Sequence, residues 1–236
     1  LYMKYFSYIV QSLNAINNAN MSTELNLHSK KYLECLLAGK RKEAAEICRN
    51  YFNEQNTIRE LYDIVITPAL YEVGQLWEHN MISVAAEHLA TAITEGILNE
   101  FYPQIIPQEY NGKKVVLTCV TNEEHQVGIK MVADIFELHG WESFFLGIGA
   151  PVNELKSFIR DIKPQCIAIS LSVYFNHKIL TEMINELSNT FPDIPVIVGG
   201  QAFTHKGAAL ESISDKATYV ATLSDLESYI LSQNPA

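Results

Sequence analysis

"KVVLTCVTNEEHQVGIKMVADIFELHG", Lys114 to Gly140, decides the fold. It opens on a short β-branched apolar run and closes on a segment whose apolar residues recur at the three-and-four spacing of a helix. Between them lies "TNEEHQVG", Thr121 to Gly128, in which His125 stands two residues after Glu123 and three before Gly128. A buried strand that turns directly into an amphipathic helix is the opening of a parallel α/β unit. The loop that joins them falls at the carboxyl end of the strand, where such folds bind ligands.

The same texture continues to the end of the chain. Strands are expected at "KVVLTCV", "ESFFLG", "CIAISLS", "PVIVGG" and, more weakly, "ATYV", with helices over 126–139, 152–162, 177–190, 203–211 and 223–232. Right-handed crossovers make this a doubly wound, flavodoxin- or Rossmann-like domain with a five-stranded parallel sheet, over residues 107–236. Besides the His125 loop, two stretches sit at strand ends: "SLSVYFNH" from Ser170 and "GGQAF" from Gly199.

Upstream, residues 22–106 are helical in pattern. Leu33, Leu36 and Leu37, then Ala44, Ile47, Cys48 and Tyr51, form one apolar stripe per helix. Four such segments with short joints make a four-helix bundle. Pro68 predicts a kink or break near Thr67, and Ser83 is placed to cap the fourth helix, with Ala86 and Glu87 in its first turn. Pro103, Pro107 and "QEYNGKK" are expected to interrupt regular structure and form the linker. Residues 1–21 read as a terminal segment, helical or foreign to the native protein; "YMKYFSYIVQSLNAI" has the pattern of an amphipathic helix for a partner or for self-association.

The composition narrows the function. A net charge of -10 and the single short basic cluster "GKRK" give no surface for nucleic acid. No apolar run approaches a membrane span, and Cys35, Cys48, Cys119 and Cys166 lie far apart without a CxxC, as buried free thiols in a reducing cytoplasm would.

Alone, His125 reads as a helix-start histidine making a hydrogen bond. Zinc would need three or four convergent ligands, and neither an HxxxH nor a CxxC pattern supplies them; a nucleophile elbow is missing too. As a metal ligand, His125 would have to serve a cofactor that brings most of the coordination itself. A corrin does this, because its ring supplies four nitrogens.

At these residues the chain resembles the cobalamin-binding domains of the methionine synthase type, whose pattern is D-x-H-x-x-G, then S-x-L, then GG. Here Glu123, His125 and Gly128 are followed after 41 residues by Ser170 and Ser172, and after 26 more by Gly199 and Gly200. Glu123 stands where Asp is usual, and Ser172 where Leu is usual. The resemblance implies that His125 is the lower axial ligand of cobalt and that Glu123 accepts the imidazole's second N–H, fixing its tautomer. It also implies that the dimethylbenzimidazole tail enters a pocket lined by Ser170, Ser172, Gly199 and Gly200. The two glycines suit a tight strand-to-helix turn equally well.

The helical half is similar to the cap of CarH-type photoreceptors, which hold adenosylcobalamin. Their W-x9-EH pattern is matched by Trp77, Glu87 and His88, and the "GGQ" ending by Gly199, Gly200 and Gln201. That resemblance implies a tryptophan and a glutamate over the adenosyl group, with His88 supporting the cap. It covers about residues 30 to 232. In the photoreceptors a histidine commonly follows the tryptophan directly; here Glu78 takes that place and His79 comes next.

The expected function is a light-sensing or regulatory cobalamin module, homo-oligomeric, acting on a protein partner and not an enzyme by itself. The alternatives are a corrinoid methyl-carrier subunit of a methyltransferase system, and a cobalamin sensor that does not use light. His139, His177 and His205 are expected at surface or helix-end positions.

Overall fold

The computed structural model describes residues 25–203 and 216–233. The expected 203–211 helix, His205 and the segment 1–21 fall largely or wholly outside the described residues. The chain divides into two compact units, one up to Ile97 and one from Leu98.

The first unit contains α1 (Leu27–Leu37), α2 (Arg41–Asn53), α3 (Thr67–Glu78) and most of α4 (Val84–Ile105). A helical turn, Ile58–Glu60, and a π-helical segment, Leu61–Ile66, lead into α3. Most of the stripe read from sequence is core: Leu33, Leu36, Ala44, Cys48 and Tyr51 are buried, together with Leu61, Tyr62, Val65 and Ile66, while Leu37 and Ile47 at its edge are half-buried. One polar pair is enclosed with them, Tyr32 and Thr94 at 2.9 Å.

Pro68 shapes the entry to α3. Proline has no N–H to donate and its ring crowds the carbonyl four residues back, which here belongs to Ile64. The widened segment relieves the crowding, and Thr67 donates five residues back to Tyr62. The displaced carbonyls find other donors: Asn26 Nδ2 donates to Ile64 O at 2.7 Å, and Ser29 Oγ to Val65 O at 3.0 Å. The break expected near Thr67 is thus a change of helical pitch, with proline in the first turn of α3. Ser83 caps α4 as read from sequence, its Oγ accepting the Ala86 N–H at 3.2 Å.

Pro103 does not interrupt the chain as expected, because α4 runs through it to Ile105. It lies in the last turn, where the carbonyl deprived of a donor is that of Asn99, an exposed residue whose carbonyl water can serve. Pro107 lies beyond the helix end.

The second unit is a parallel sheet of β1 (Lys114–Thr121), β2 (Glu142–Gly149), β3 (Cys166–Ser170), β4 (Val196–Gly199) and β5 (Ala217–Tyr219), in the order β2-β1-β3-β4-β5. Among the described residues, four helices connect or follow the strands: α5 (Val127–Leu138), α6 (Val152–Ile162), α7 (His177–Thr190) and α8 (Leu223–Ser232). Central strands β1 and β3 are buried along nearly their whole length and mostly apolar, as expected of a sheet covered on both faces. Leu155 and Ile159 of α6 and Leu180, Met183, Ile184 and Leu187 of α7 share one core with β1, β3 and β4. α5 and α8 pack against each other. The order is that of a doubly wound fold whose direction reverses between β1 and β3, and the crevice at that reversal is the ligand position of the architecture.

Candidate functional site

At the reversal point, the loop after β1 meets the loop after β3 through one side chain. Glu123 is 1% exposed, and both of its oxygens are engaged. Oε2 accepts the Ser172 N–H at 2.8 Å, while Oε1 accepts the Val173 N–H at 2.8 Å and Asn176 Nδ2 at 3.2 Å. A buried carboxylate with three donors is well compensated for its desolvation. Its effect is to fix the turn that runs from Ser172 to Asn176.

This corrects the expected Glu123–His125 hydrogen bond. Glu123 is committed to the β3 loop, and His125 Nδ1 is buried without a hydrogen-bond partner. A buried ring nitrogen in that state is costly unless something else engages the ring. His125 itself is half-buried, and its carbonyl accepts from Cys119 Sγ at 3.4 Å. Burial, with the carboxylate of Glu123 adding to it, pushes the Cys119 thiol up to about 12. Cys119 is therefore a neutral thiol near pH 7. Among the described residues no three His, Cys, Asp or Glu side chains converge. A metal bound by His125 would have to bring its other ligands.

Gly128 lies in the first turn of α5 and is exposed. A Cβ there would come no nearer than 3.9 Å to protein, at Ser170 Oγ. No protein atom forbids a side chain at Gly128, so its bareness leaves room beside Ser170. Ser170, at the end of β3, is 5% exposed.

Gly199 and Gly200 follow a different logic. Gly200 has φ +118°, and a Cβ would run into the carbonyl of Leu171. The Leu171 N–H donates to Gly199 O at 2.9 Å, and Leu171 O accepts from Ala202 at 3.2 Å. The turn-forming role of this pair is thus fulfilled within the protein. Gly200→Ala is expected to cost about 2–4 kcal/mol, from strain at positive φ together with overlap against backbone; a denaturant melt measures it. Gln201 begins a short 3-10 turn, Gln201–Phe203, and is half-buried.

In the first unit, Trp77 lies in the last turn of α3 and remains 38% exposed. Glu87, in the first turn of α4, is 8% exposed. Its Oε2 lies 2.6 Å from His88 Nδ1, and its Oε1 accepts from Thr91 Oγ1 at 2.9 Å. His88 therefore braces Glu87 from the side. His79 sits at the C-cap of α3 with Nδ1 2.7 Å from Gln75 O.

His139 and His177 take the helix-end positions expected of them. His139 caps α5 and pairs with Glu227 at 3.0 Å; His177 opens α7 and stacks on Tyr174 at 4.8 Å. Asn176, which sequence reasoning left unassigned, joins the site through Glu123. The stretch "SLSVYFNH" had marked its loop, but a single sequence does not show which of its side chains turns inward.

Comparison with known proteins agrees with this geometry. Residues 113–220 match a family described as a B12 binding domain, and residues 29–101 match a second family of the same description. The chain is a cobalamin-binding protein, built from a helical B12-binding cap and a Rossmann-like B12-binding domain. Two curated relatives are similar to it, both from Myxococcus xanthus. The HTH-type transcriptional repressor CarH is 25% identical over 155 residues, covering 65% of this chain and 51% of CarH. The HTH-type transcriptional repressor CarA is 25% identical over 138 residues, covering 58% of this chain and 46% of CarA. The chain thus spans about half the length of the curated relatives it matches. Among solved structures, the Methanosarcina barkeri monomethylamine corrinoid protein shares the fold with a TM-score of 0.73 at 10% identity, over 86% of this chain and 97% of that one. No helix among the described residues is long and apolar enough to cross a membrane.

The residues present fit the cofactor. An imidazole with no protein partner at Nδ1 and a bare Gly128 beside Ser170 are compatible with a corrin that takes a histidine as lower ligand.

Proposed function

We propose that this protein is an adenosylcobalamin-binding regulatory module of the light-sensing kind, acting as a homo-oligomer on a protein partner and without catalysis of its own. In this reading His125 is the lower axial ligand of cobalt, in place of the dimethylbenzimidazole tail. Ser170, Ser172, Gly199, Gly200 and Gln201 line the region that takes the tail, and Gly128 leaves room for it. When bound, adenosylcobalamin supplies a cobalt–carbon bond that visible light breaks.

The observation that carries the regulatory reading is the state of two residues, Trp77 left exposed and Glu87 held in place. An indole left 38% exposed at a helix end offers a large, rigid contact surface, and Glu87 is held in place by His88 and Thr91. Both residues stand where the W-x9-EH pattern puts a contact for a bulky upper ligand. Their contact with that ligand reports its presence, and its loss biases the protein toward a second arrangement. His79, tied to the Gln75 carbonyl, is already engaged on its own helix.

The second reading, a corrinoid methyl carrier, draws on the fold shared with the monomethylamine corrinoid protein. At 10% identity that likeness concerns the fold alone. A carrier must also present its methyl group to partner enzymes, and a bulky upper-ligand contact such as the W-x9-EH pattern provides does not serve that task.

Reconstitution with adenosylcobalamin in the dark, followed by absorption spectra and size-exclusion elution before and after green light, separates the two. The regulatory reading expects a stable dark spectrum that changes on illumination together with the assembly state. Binding of methyl- or hydroxocobalamin with no light-linked change supports the carrier. Trp77→Ala is expected to speed loss of the adenosyl form; behaviour identical to the parent would remove Trp77 from the upper face.

A further inference from the structure

The sheet order places β2 on one side of β1 and β3 on the other, so the His125 loop is flanked by the carboxyl ends of both neighbours. Each flank carries an exposed apolar side chain. Ile148, next to the end of β2, is 53% exposed, and Phe175, in the turn after β3, is 87% exposed. Scattered apolar residues on a surface need no explanation, but this pair brackets the histidine at the ligand-binding end of the sheet.

Phe175 is also held in place. It sits in the middle of a single 3-10 turn, Tyr174–Asn176, whose two sides are pinned. On one side Glu123 binds the Ser172 and Val173 amides, and on the other it binds the Asn176 side chain. Tyr174 is stacked on His177 with the ring planes 14° apart, and His177 Nδ1 lies 3.0 Å from Tyr174 O. The surrounding contacts order the turn while leaving the Phe175 ring uncovered. An apolar side chain on an ordered backbone loses little further backbone freedom when a ligand covers it.

We propose that Phe175 and Ile148 are apolar contacts for the corrin ring on the two sides of His125, and that Glu123 and Asn176 act as positioning residues that present Phe175. The inference rests on the cobalamin reading of the site. A corrin is much wider than an imidazole and carries methyl groups around its rim, so a ring held by His125 would extend toward the strand ends on both sides. Covering these two side chains removes apolar surface from water and adds affinity that axial ligation does not supply.

Hydroxocobalamin and adenosylcobalamin titrations followed by absorption, with retention through gel filtration, test this on Phe175→Ala, Ile148→Ala and the control Leu231→Ala, an exposed apolar residue on α8. None of these side chains is buried, so folding should be retained. Phe175→Ala is expected to weaken binding about tenfold and Ile148→Ala about threefold, with Leu231→Ala unchanged. The bound spectrum should keep its histidine-ligated form in all three, since the axial ligand is untouched. Parent-like affinity in both Phe175→Ala and Ile148→Ala, with the parent binding normally, overturns the inference and leaves the cobalamin reading standing. Failure of the parent itself to bind any cobalamin overturns both.

Discussion

His125→Ala is expected to remove the histidine-ligated spectrum of the cobalamin-loaded protein and to weaken binding by about 100-fold or more. Loss of a residue that merely supports a metal ligand typically costs 10–100-fold, and His125 is assigned the ligand itself. The site offers no substitute. Cys119 is fully buried with its Sγ turned to the His125 carbonyl, and Glu123 spends both oxygens on the β3 loop. The variant should fold as the parent does, because no hydrogen bond of the protein depends on the His125 ring nitrogen Nδ1. Absorption titration and a thermal melt run together check both halves of the expectation. Unchanged spectrum and affinity would mean that the imidazole is the helix-start residue that its bland reading makes it.

Glu123→Ala should act through the fold first and the cofactor second. It would orphan two backbone amides and the Asn176 side chain around a residue that is 1% exposed. Unsatisfied donors in such a place cost about 1–3 kcal/mol each, and some regain water once the turn opens. A net destabilisation of about 3 kcal/mol is expected, read from a denaturant melt. Because the same turn carries Ser172 and Phe175, cobalamin affinity should also fall. The discriminating companion is Asn176→Ala, which removes one donor and leaves the carboxylate's two amide bonds. Its effect should be about 1 kcal/mol. Equal effects from the two variants would contradict the view that Glu123 organises the turn through the backbone.

The α/β unit was legible because its signals are local. Each strand is a compact apolar run and each helix has a clear stripe, so β1 to β5 fall where the runs of apolar residues put them, and α6, α7 and α8 match their expected bounds. Proline was less transparent. Its effect on a helix depends on whether the carbonyl it deprives finds another donor: Asn26 supplies one near Pro68, and near Pro103 the carbonyl belongs to Asn99, an exposed residue open to solvent. A sequence shows the proline but not those donors. The candidate site was legible as three loops at set spacing. What could not be read was the direction of Glu123, since a carboxylate two residues from an imidazole reads naturally as its partner. The structure gives it instead to amides 49 and 50 residues away, a long-range contact that no local spacing encodes. For Gly200 the sequence left a turn and a ligand approach equally open, and the overlap with Leu171 shows that the turn alone already requires glycine.

The central claim is that the His125 imidazole ligates cobalt from below. It is tested most directly by electron paramagnetic resonance of the protein loaded with cob(II)alamin, prepared once with natural histidine and once with 15N-histidine. With His125 on the metal, each cobalt line, split into three by a 14N axial ligand, is expected to become split into two in the labelled protein, and this response is expected to be absent in His125→Ala. A threefold splitting that persists after labelling would assign the axial nitrogen to the cofactor's own base, and His125 would lose its place at the metal.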